Sequence, residues 1–194
     1  MKKVIALLSK YADMPIELKN ELYEMTTRVE VRKFKTIHNR NEVCDKLYFI
    51  EEGLVCCYNQ IDGETKEYCT WAYKEMDIIT SVDSFETGQK SADRIIALKH
   101  CILWSITKQQ FEYLTDKYKA FADIRRKLYE KYHRHTRDME AMRQRDPEVF
   151  YNYLKTHQDY AYLLKLPKKH LAALFGISKS TFFNKVQGGT QSKK

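Results

Sequence analysis

The chain has 194 residues, which is enough for one domain of ordinary size and a small second one. A hydrophobic content of 43% can build a core and excludes a globally disordered chain, and the longest apolar runs are far too short to span a bilayer. The net charge of +8 indicates either a polyanionic partner or a basic, solvated surface.

The first 26 residues predict two helices. The opening MKKVIALLSKYADMP is basic and then apolar, but Ser9 and Lys10 interrupt the apolar run and no small-residue cleavage site follows. We interpret it as an amphipathic helix of a cytoplasmic protein rather than as a signal peptide. Residues 15–26 predict the second helix, since Pro15 suits the first helical position and Glu17 lies near the positive end of the helix dipole.

Between Val29 and about Ile106 the sequence changes to short β-rich runs separated by turn residues. The runs KLYFI and LVCCYNQ are separated by a turn that ends in Gly53, and Asp62-Gly63 before TKEYCTWAY is a strong hairpin signal. The run RIIALKHCILWSI predicts one or two further strands with a buried face. So many short strands indicate an antiparallel barrel or sandwich.

Cysteine and histidine spacing gives no sign of a metal centre. The five cysteines are odd in number, and no pair has the C-x-x-C spacing of a zinc or redox site. His133 and His135 are two residues apart, which puts them on different faces of a helix. We therefore expect reduced, mostly buried thiols and neither a metal nor a cofactor.

Residues 116–146 contain neither proline nor glycine and predict a long helix. A helix of about 30 residues would extend roughly 45 Å, which is longer than a small domain needs. Its apolar positions recur at steps of three and four residues, as in a heptad seam. The seam packs either on the β-rich domain or against a second copy in a parallel coiled coil, and we favour the coiled coil. The seam residues are Phe121, Ile124, Leu128, Tyr132, His135, Met139 and Met142.

Residues 147–194 follow a break at Asp146-Pro147 and carry eight lysines against two acids. Within them, LPKKHLAALFGISKSTFFNKV predicts two short helices that meet at Gly176, where the backbone turns sharply. Ser178 is placed to cap the second helix. The positions predicted to pack inside are Leu171, Ala172, Leu174, Phe175, Ile177, Phe182 and Val186.

The polar positions of this stretch are left on the outside. Lysine, hydroxyl and amide side chains hydrogen-bond to phosphates and base edges, as a recognition helix in the major groove requires. The other interpretation is an ordinary helical hairpin with a lysine-rich face. The candidate DNA-binding residues are Lys168, Lys169, Ser178, Lys179, Ser180, Thr181, Asn184 and Lys185.

The order of these parts resembles the Crp/Fnr superfamily of bacterial transcription regulators, and most of all the branch common in Bacteroidetes. KLYFIEEGLVCCYNQIDGETKEYCTWA resembles the family's strand, glycine turn, strand and hairpin core. LPKKHLAALFGISKSTFFNKV matches the family's helix-turn-helix from Lys169 through Phe182. Lys185 stands where that motif usually has an apolar residue, so we expect the end of the recognition helix to be frayed or shifted. The residues after it, QGGTQSKK, do not resemble the family's β-wing.

The resemblance implies an α+β fold in three parts. A cyclic-nucleotide-binding-like antiparallel β-roll, or jelly roll, is expected as the sensor domain at residues 1–115. A dimerisation helix is expected at 116–146, and a helix-turn-helix DNA-binding domain at 147–194. The implied partners are double-stranded DNA, a second copy of the chain and RNA polymerase.

The family's cyclic AMP site is not reproduced in this sequence. Members that bind cyclic AMP use a glutamate for the ribose hydroxyl and, about ten residues on, an arginine for the phosphate. Alignment on that cassette puts Thr80 and Ser81 at the Gly-Glu positions and Ser91 and Ala92 at the Arg-Ser positions, with Arg94 nearby. These five residues form a candidate ligand pocket, but cyclic AMP is not expected to bind, and the effector stays open.

The sequence therefore predicts a cytoplasmic, homodimeric, DNA-binding transcription regulator that does not depend on cyclic AMP. The runner-up is a β-roll sensor module that binds a small molecule or a protein without DNA. An enzyme is weakly supported, because no Ser/His/Asp or paired-carboxylate constellation is visible from residue spacing.

Overall fold

The computed structural model, which describes residues 1–60 and 67–187, opens with two helices. Helix α1 covers Lys2–Leu8 and buries three of its apolar side chains, which confirms the amphipathic opening helix. Helix α2 covers Ile16–Met25. Pro15 is its N-cap residue rather than its first helical residue, so the helix begins one residue later than predicted.

Short strands follow and confirm the predicted β-rich region. In the described residues they are β1 (Thr27–Val31), β2 (Thr36–His38), β3 (Lys46–Glu52), β4 (Leu54–Gln60), β5 (Glu67–Lys74), β6 (Ile78–Ile79), β7 (Arg94–Ala97) and β8 (Cys101–Thr107). They form two four-stranded sheets with the orders β1-β8-β3-β6 and β2-β7-β4-β5. Helix α3 (Val82–Thr87) lies between β6 and β7 in the chain. The predicted hairpin turn at Asp62-Gly63 lies outside the described residues.

Strand β8 lies inside the first sheet and pairs antiparallel with both β1 and β3. In the pair with β1, Thr27 is opposite Ser105. Burial alternates along the first half of β8, with Cys101, Leu103 and Ser105 buried. This alternation turns one face of the strand to the interior of the β-roll.

The interior of the β-roll is filled by apolar side chains. Each of them is at most 5% exposed, so the space between the sheets is packed rather than open. The cluster consists of Ile50, Val55, Cys57, Ile79, Ile95, Ala97, Cys101 and Leu103.

A separate helix precedes the predicted long helix, which is shorter than expected. Helix α4 covers the ten residues Lys108–Lys117, and helix α5 covers the 25 residues Lys119–Arg143. Between them, the backbone of Tyr118 is extended, with ψ at 112°. One continuous helix over 116–146 is therefore wrong at both ends, and the helix length is about 38 Å at 1.5 Å per residue.

The first part of the predicted heptad seam packs inside its own chain. Phe121 and Ile124 are 0% exposed and belong to a core cluster with side chains from α1, α2, α4 and the β-roll, and Leu128 packs against that cluster. Met139 is 0% exposed as well. The coiled-coil interpretation is therefore wrong for Phe121, Ile124 and Met139. The pattern misled because a helix packed on a domain buries a stripe with nearly the same spacing as a coiled coil.

The chain divides into two compact units. The first takes in Met1–Cys57 and Tyr73–Lys131, and the second takes in the described residues of Tyr58–Ala72 and Tyr132–Lys194. The division falls inside α5, between Lys131 and Tyr132, and not at residues 115 and 146. The sensor, dimerisation and DNA-binding roles of residues 1–115, 116–146 and 147–194 stay predictions.

The second unit contains the end of α5 and the terminal helices. Helix α6 covers Pro147–Thr156, and the Asp146 carboxylate caps it by accepting a 2.9 Å hydrogen bond from the Glu148 N–H. This confirms the predicted break at Asp146-Pro147. A 3-10 helix over Ala161–Lys165 follows.

Three residues of the predicted seam lie in the second unit and are half-buried. The His135 ring centre is 5.1 Å from that of Trp71 and 5.5 Å from that of Tyr160. Tyr132 and Met142 are also half-buried. These side chains are therefore not part of the buried core, and the coiled-coil interpretation stays a prediction for them.

Candidate nucleic-acid interface

The first helix of the predicted pair is present and buries the expected side. Helix α7 covers Lys168–Leu174, and its buried residues are Leu171, Ala172 and Leu174. The chain then turns at Gly176, whose φ of 69° lies in the left-handed region that favours glycine. The helix begins at Lys168, directly after Pro167 at the N-cap.

The second helix begins at a serine cap, as predicted. Helix α8 covers Lys179–Phe182, and the Ser178 hydroxyl accepts a 3.0 Å hydrogen bond from the Thr181 N–H. The Ser178 and Thr181 hydroxyls are also 2.7 Å apart. The cap satisfies a backbone N–H that the first helical turn leaves without a partner.

The helix continues as a π-helical turn over Phe183–Gln187. Phe182 is 1% exposed and Val186 is 8% exposed, so these two residues form the buried side of this segment. Lys185 is exposed. This agrees with the expected shift at the end of the recognition helix. Phe175 anchors both helices, since its ring centre is 4.3 Å from Phe150 and 5.0 Å from Phe182.

The predicted DNA-binding residues come together on the outside of these helices. Residues 160–187 hold five lysines and no acid. Within residues 1–60 and 67–187, no carboxylate lies within ion-pair distance of the candidate lysines, so their charge is available to a partner. The exposed candidates are Lys168, Lys169, Ser178, Lys179, Ser180, Asn184 and Lys185, and Thr181 is half-buried.

A groove of about 580 Å³ lies on the same surface. Its lining joins polar and aromatic side chains from both helices: Lys168, Lys179, Ser180, Phe182, Phe183 and Asn184. Phe183 was not predicted as a site residue. The signal that could have found it is the pair of neighbouring phenylalanines, because burial of Phe182 with Val186 four residues on leaves Phe183 outside.

The predicted ligand pocket holds a network of hydroxyls around a carboxylate. Ser81 and Ser91 are buried, and their hydroxyl oxygens are 2.8 Å apart. The Ser81 hydroxyl donates a 2.6 Å hydrogen bond to the carboxylate of Asp93, whose N–H donates to the Ser91 hydroxyl at 2.9 Å. The network lies where helix α3 (Val82–Thr87) begins. Sequence reasoning missed Asp93.

The other pocket candidates do not join this network through the bonds described. The Thr80 hydroxyl donates to the Lys46 carbonyl at 2.9 Å. Ala92 is exposed, and its carbonyl accepts a hydrogen bond from Arg40. Arg94 is half-buried at the start of β7.

His38 does not supply a cation beside this network. Its burial lowers the pKa of the imidazole, and the nearby Glu42 and Asp93 carboxylates oppose that effect only in part. A neutral imidazole cannot replace the arginine that pairs with a phosphate in the family's cyclic AMP site.

Comparison with known proteins supports the fold. Residues 28–118 match the cyclic nucleotide-binding domain family. The catabolite activator protein of Thermus thermophilus is 16% identical, with a TM-score of 0.59 and a match that covers 95% of this chain and 87% of that chain. A protein of Eubacterium rectale assigned to the crp/fnr family of transcriptional regulators is 15% identical, with a TM-score of 0.67 and coverage of 92% and 84%. The c-di-GMP responsive global regulator CLP of Xanthomonas campestris is 15% identical, with a TM-score of 0.68 and coverage of 91% and 93%.

These likenesses confirm the predicted α+β fold with its β-roll, and they confirm the resemblance to Crp/Fnr regulators at the level of domain and fold. No curated protein sequence matches the chain. In the part of the chain that is described, no helix is long and apolar enough to cross a membrane. The same residues contain no group of three or more His, Cys, Asp or Glu side chains that could hold a metal ion.

Proposed function

We propose that this chain, which carries a cyclic nucleotide-binding domain on the fold of the Crp/Fnr-family regulators, is a DNA-binding transcription regulator. The observation that carries the proposal is the exposed polar face of α7 and α8. There, lysines without an acidic partner among the described residues surround short hydroxyl and amide side chains. A duplex is the partner that such a face fits, because phosphates need cations and base edges need short polar groups.

The candidate residues divide into two roles. The four lysines are flexible point charges that contact phosphates: Lys168, Lys169, Lys179 and Lys185. The short side chains of Ser180, Thr181 and Asn184 reach base edges from the same helix face. The Asn184 amide can pair with adenine through two hydrogen bonds.

We expect Lys179→Ala and Asn184→Ala to weaken DNA binding in different ways. Loss of one phosphate contact should lower affinity for all sequences and flatten the salt dependence by about one unit of slope. Loss of the Asn184 amide should relax the preference at one base pair per half-site and leave the slope unchanged. Binding-site selection with the wild type and both variants, followed by salt titration, measures this. The same motif and slope in all three proteins would mean that the surface does not read DNA, and no binding at all would favour the β-roll sensor module.

We further propose that the chain acts as a dimer whose two heads read half-sites about one helical turn apart. The wild type should sediment with the mass of two chains at tens of micromolar. Met142→Asp should give monomers, because an unpartnered carboxylate in a packed contact is costly. Gln144→Asp places the same charge on an exposed neighbour and should leave the dimer intact. A monomeric wild type would refute the dimer. RNA polymerase, the further partner that the resemblance implies, stays a prediction.

The β-roll is proposed to work without cyclic AMP. Ser81 and Ser91 stand where the family's glutamate and arginine would contact the nucleotide, and their hydroxyls bond to each other and to the Asp93 carboxylate. Each charge-assisted contact that is missing costs about 1.5–3 kcal/mol. Calorimetric titration with cyclic AMP should therefore give no binding in the micromolar range, and a micromolar or tighter dissociation constant would contradict this.

A further inference from the structure

Phe183 is an aromatic side chain on the proposed DNA-binding surface that has no role in the core. It is 51% exposed, while the adjacent Phe182 is 1% exposed. It begins the π-helical turn that follows α8 and immediately precedes Asn184. The fold therefore buries one of two consecutive phenylalanines and presents the other to the outside.

The surroundings of this ring are basic and polar. Phe183 lines the groove of about 580 Å³ together with Lys168, Lys179, Ser180 and Asn184. The Lys168 ammonium nitrogen lies 5.2 Å from the centre of the Phe183 ring, within the range of a cation–π contact. That contact restrains an otherwise exposed side chain, and the flanking cations favour a polyanion over an apolar protein surface as the occupant of the groove.

We propose that Phe183 reads a thymine in the major groove by contact with the 5-methyl group. Among the four bases, thymine alone presents a methyl group on that edge, and phenylalanine is one of the side chains that contact it. With lysines beside the ring to engage phosphates, the apolar surface next to Asn184 is placed for a base edge. The inference rests on the proposed function and adds a specificity determinant to it.

The size of the effect follows from one buried methyl group. Removal of that group from the DNA should weaken binding about fourfold per half-site. Removal of the ring should abolish the response to the methyl group and should not change the salt slope, because no cation is lost.

The experiment compares thymine with deoxyuridine in the same duplex. A duplex selected from a random pool by the wild-type protein is resynthesised with deoxyuridine at each thymine in turn, which deletes only the 5-methyl group. Affinities are measured for the wild type, Phe183→Ala and Phe183→Leu. Val149→Ala is the matched control, since Val149 is 52% exposed in the same unit and lies outside the groove. Thermal unfolding checks that all variants are folded.

We expect the affinity of the wild type and of Val149→Ala to fall about fourfold when deoxyuridine replaces one particular thymine in each half-site, which is the value for one methyl group. Phe183→Ala should bind the two duplexes equally, and Phe183→Leu should retain part of the discrimination. Equal binding of every deoxyuridine duplex by the wild type would overturn the inference, as would full discrimination by Phe183→Ala. Either result, obtained with a wild type that does select a sequence, leaves the proposed function intact. If the wild type selects no sequence, the proposed function and the thymine contact both fail.

Discussion

Gly53→Ala is expected to lower the free energy of unfolding of the first unit by roughly 3–5 kcal/mol. The residue joins β3 to β4 with a φ of 120°, which L-residues rarely adopt. A Cβ there would lie 2.5 Å from the Cys101 sulfur and 2.9 Å from both the Cys101 Cα and the His100 carbonyl oxygen. Two of these three atoms are backbone. Strand β8 is held between β1 and β3, so it cannot move aside without loss of pairing.

The matched control is Gly88→Ala. Gly88 also has a left-handed φ, of 73°, but a Cβ there meets no atom within 4 Å. The free energy of unfolding of that variant should fall by only about 1 kcal/mol, because alanine disfavours the left-handed backbone conformation. Urea unfolding in a Trp71→Phe background follows the fluorescence of Trp104, which lies in β8 and donates a 2.7 Å hydrogen bond to Glu51. Equal losses in the two variants would show that the close approach to Cys101 does not matter.

Much of the helix pair α7 and α8 could be predicted because its signals are local in the sequence. Gly176 supplies the left-handed turn, Ser178 caps the helix that begins one residue later, and Phe182 with Val186 forms one buried side. Each signal depends on neighbours within four residues, which the sequence states directly. The same local reasoning explains why the departure at Lys185 correctly indicated a change at the end of the helix.

The cassette network could not be predicted in the same way. Ser81 and Asp93 are twelve residues apart, and the fold places the hydroxyl of one 2.6 Å from the carboxylate of the other. An alignment to a family motif asks only which residue replaces the expected charge. It does not ask which other side chain enters the space, so Asp93 was overlooked.

The heptad pattern failed for a different reason. A stripe of apolar residues tells us that one side of a helix is buried, but it does not tell us against what. Phe121 and Ile124 meet α4 and the β-roll of their own chain, which fold from residues earlier in the sequence. Spacing alone therefore cannot separate a dimer contact from a core contact.

Arg143 hydrogen-bonds to three backbone carbonyl groups in the second unit. No pattern in the sequence predicted these contacts. Its guanidinium donates to the carbonyls of Cys69 and Thr70 in β5 and, at 3.1 Å, to the carbonyl of Leu174 at the end of α7. Burial lowers the pKa of Arg143, but arginine remains charged in proteins. The cation is therefore stabilised by the dipoles of these carbonyl groups.

Arg143→Met should lower the free energy of unfolding of the second unit by about 2–4 kcal/mol, because three partly buried carbonyl acceptors lose a charged donor and methionine cannot replace it. Arg137→Met is the control on the same helix. The Arg137 side chain is 78% exposed, and its ion pair with Asp138 is long, at 3.7 Å, and therefore weak. That change should cost less than about 0.5 kcal/mol. Urea unfolding in a Trp104→Phe background reports on Trp71, whose ring lies 5.6 Å from Tyr160 in this unit.

The same substitution should also weaken DNA binding, since the Leu174 carbonyl lies two residues before the turn at Gly176 that aims α8. Without Arg143 the Leu174 carbonyl at the end of α7 loses a hydrogen bond. We therefore expect the orientation of the polar face of α8 to vary more. Affinity should then fall for the selected sequence at temperatures where the variant is still folded. The salt slope should stay that of the wild type, because no phosphate contact is removed. A loss of affinity accompanied by a flatter salt slope would instead mean that Arg143 itself touches DNA, and unchanged stability would mean that its three carbonyl contacts do not hold this unit together.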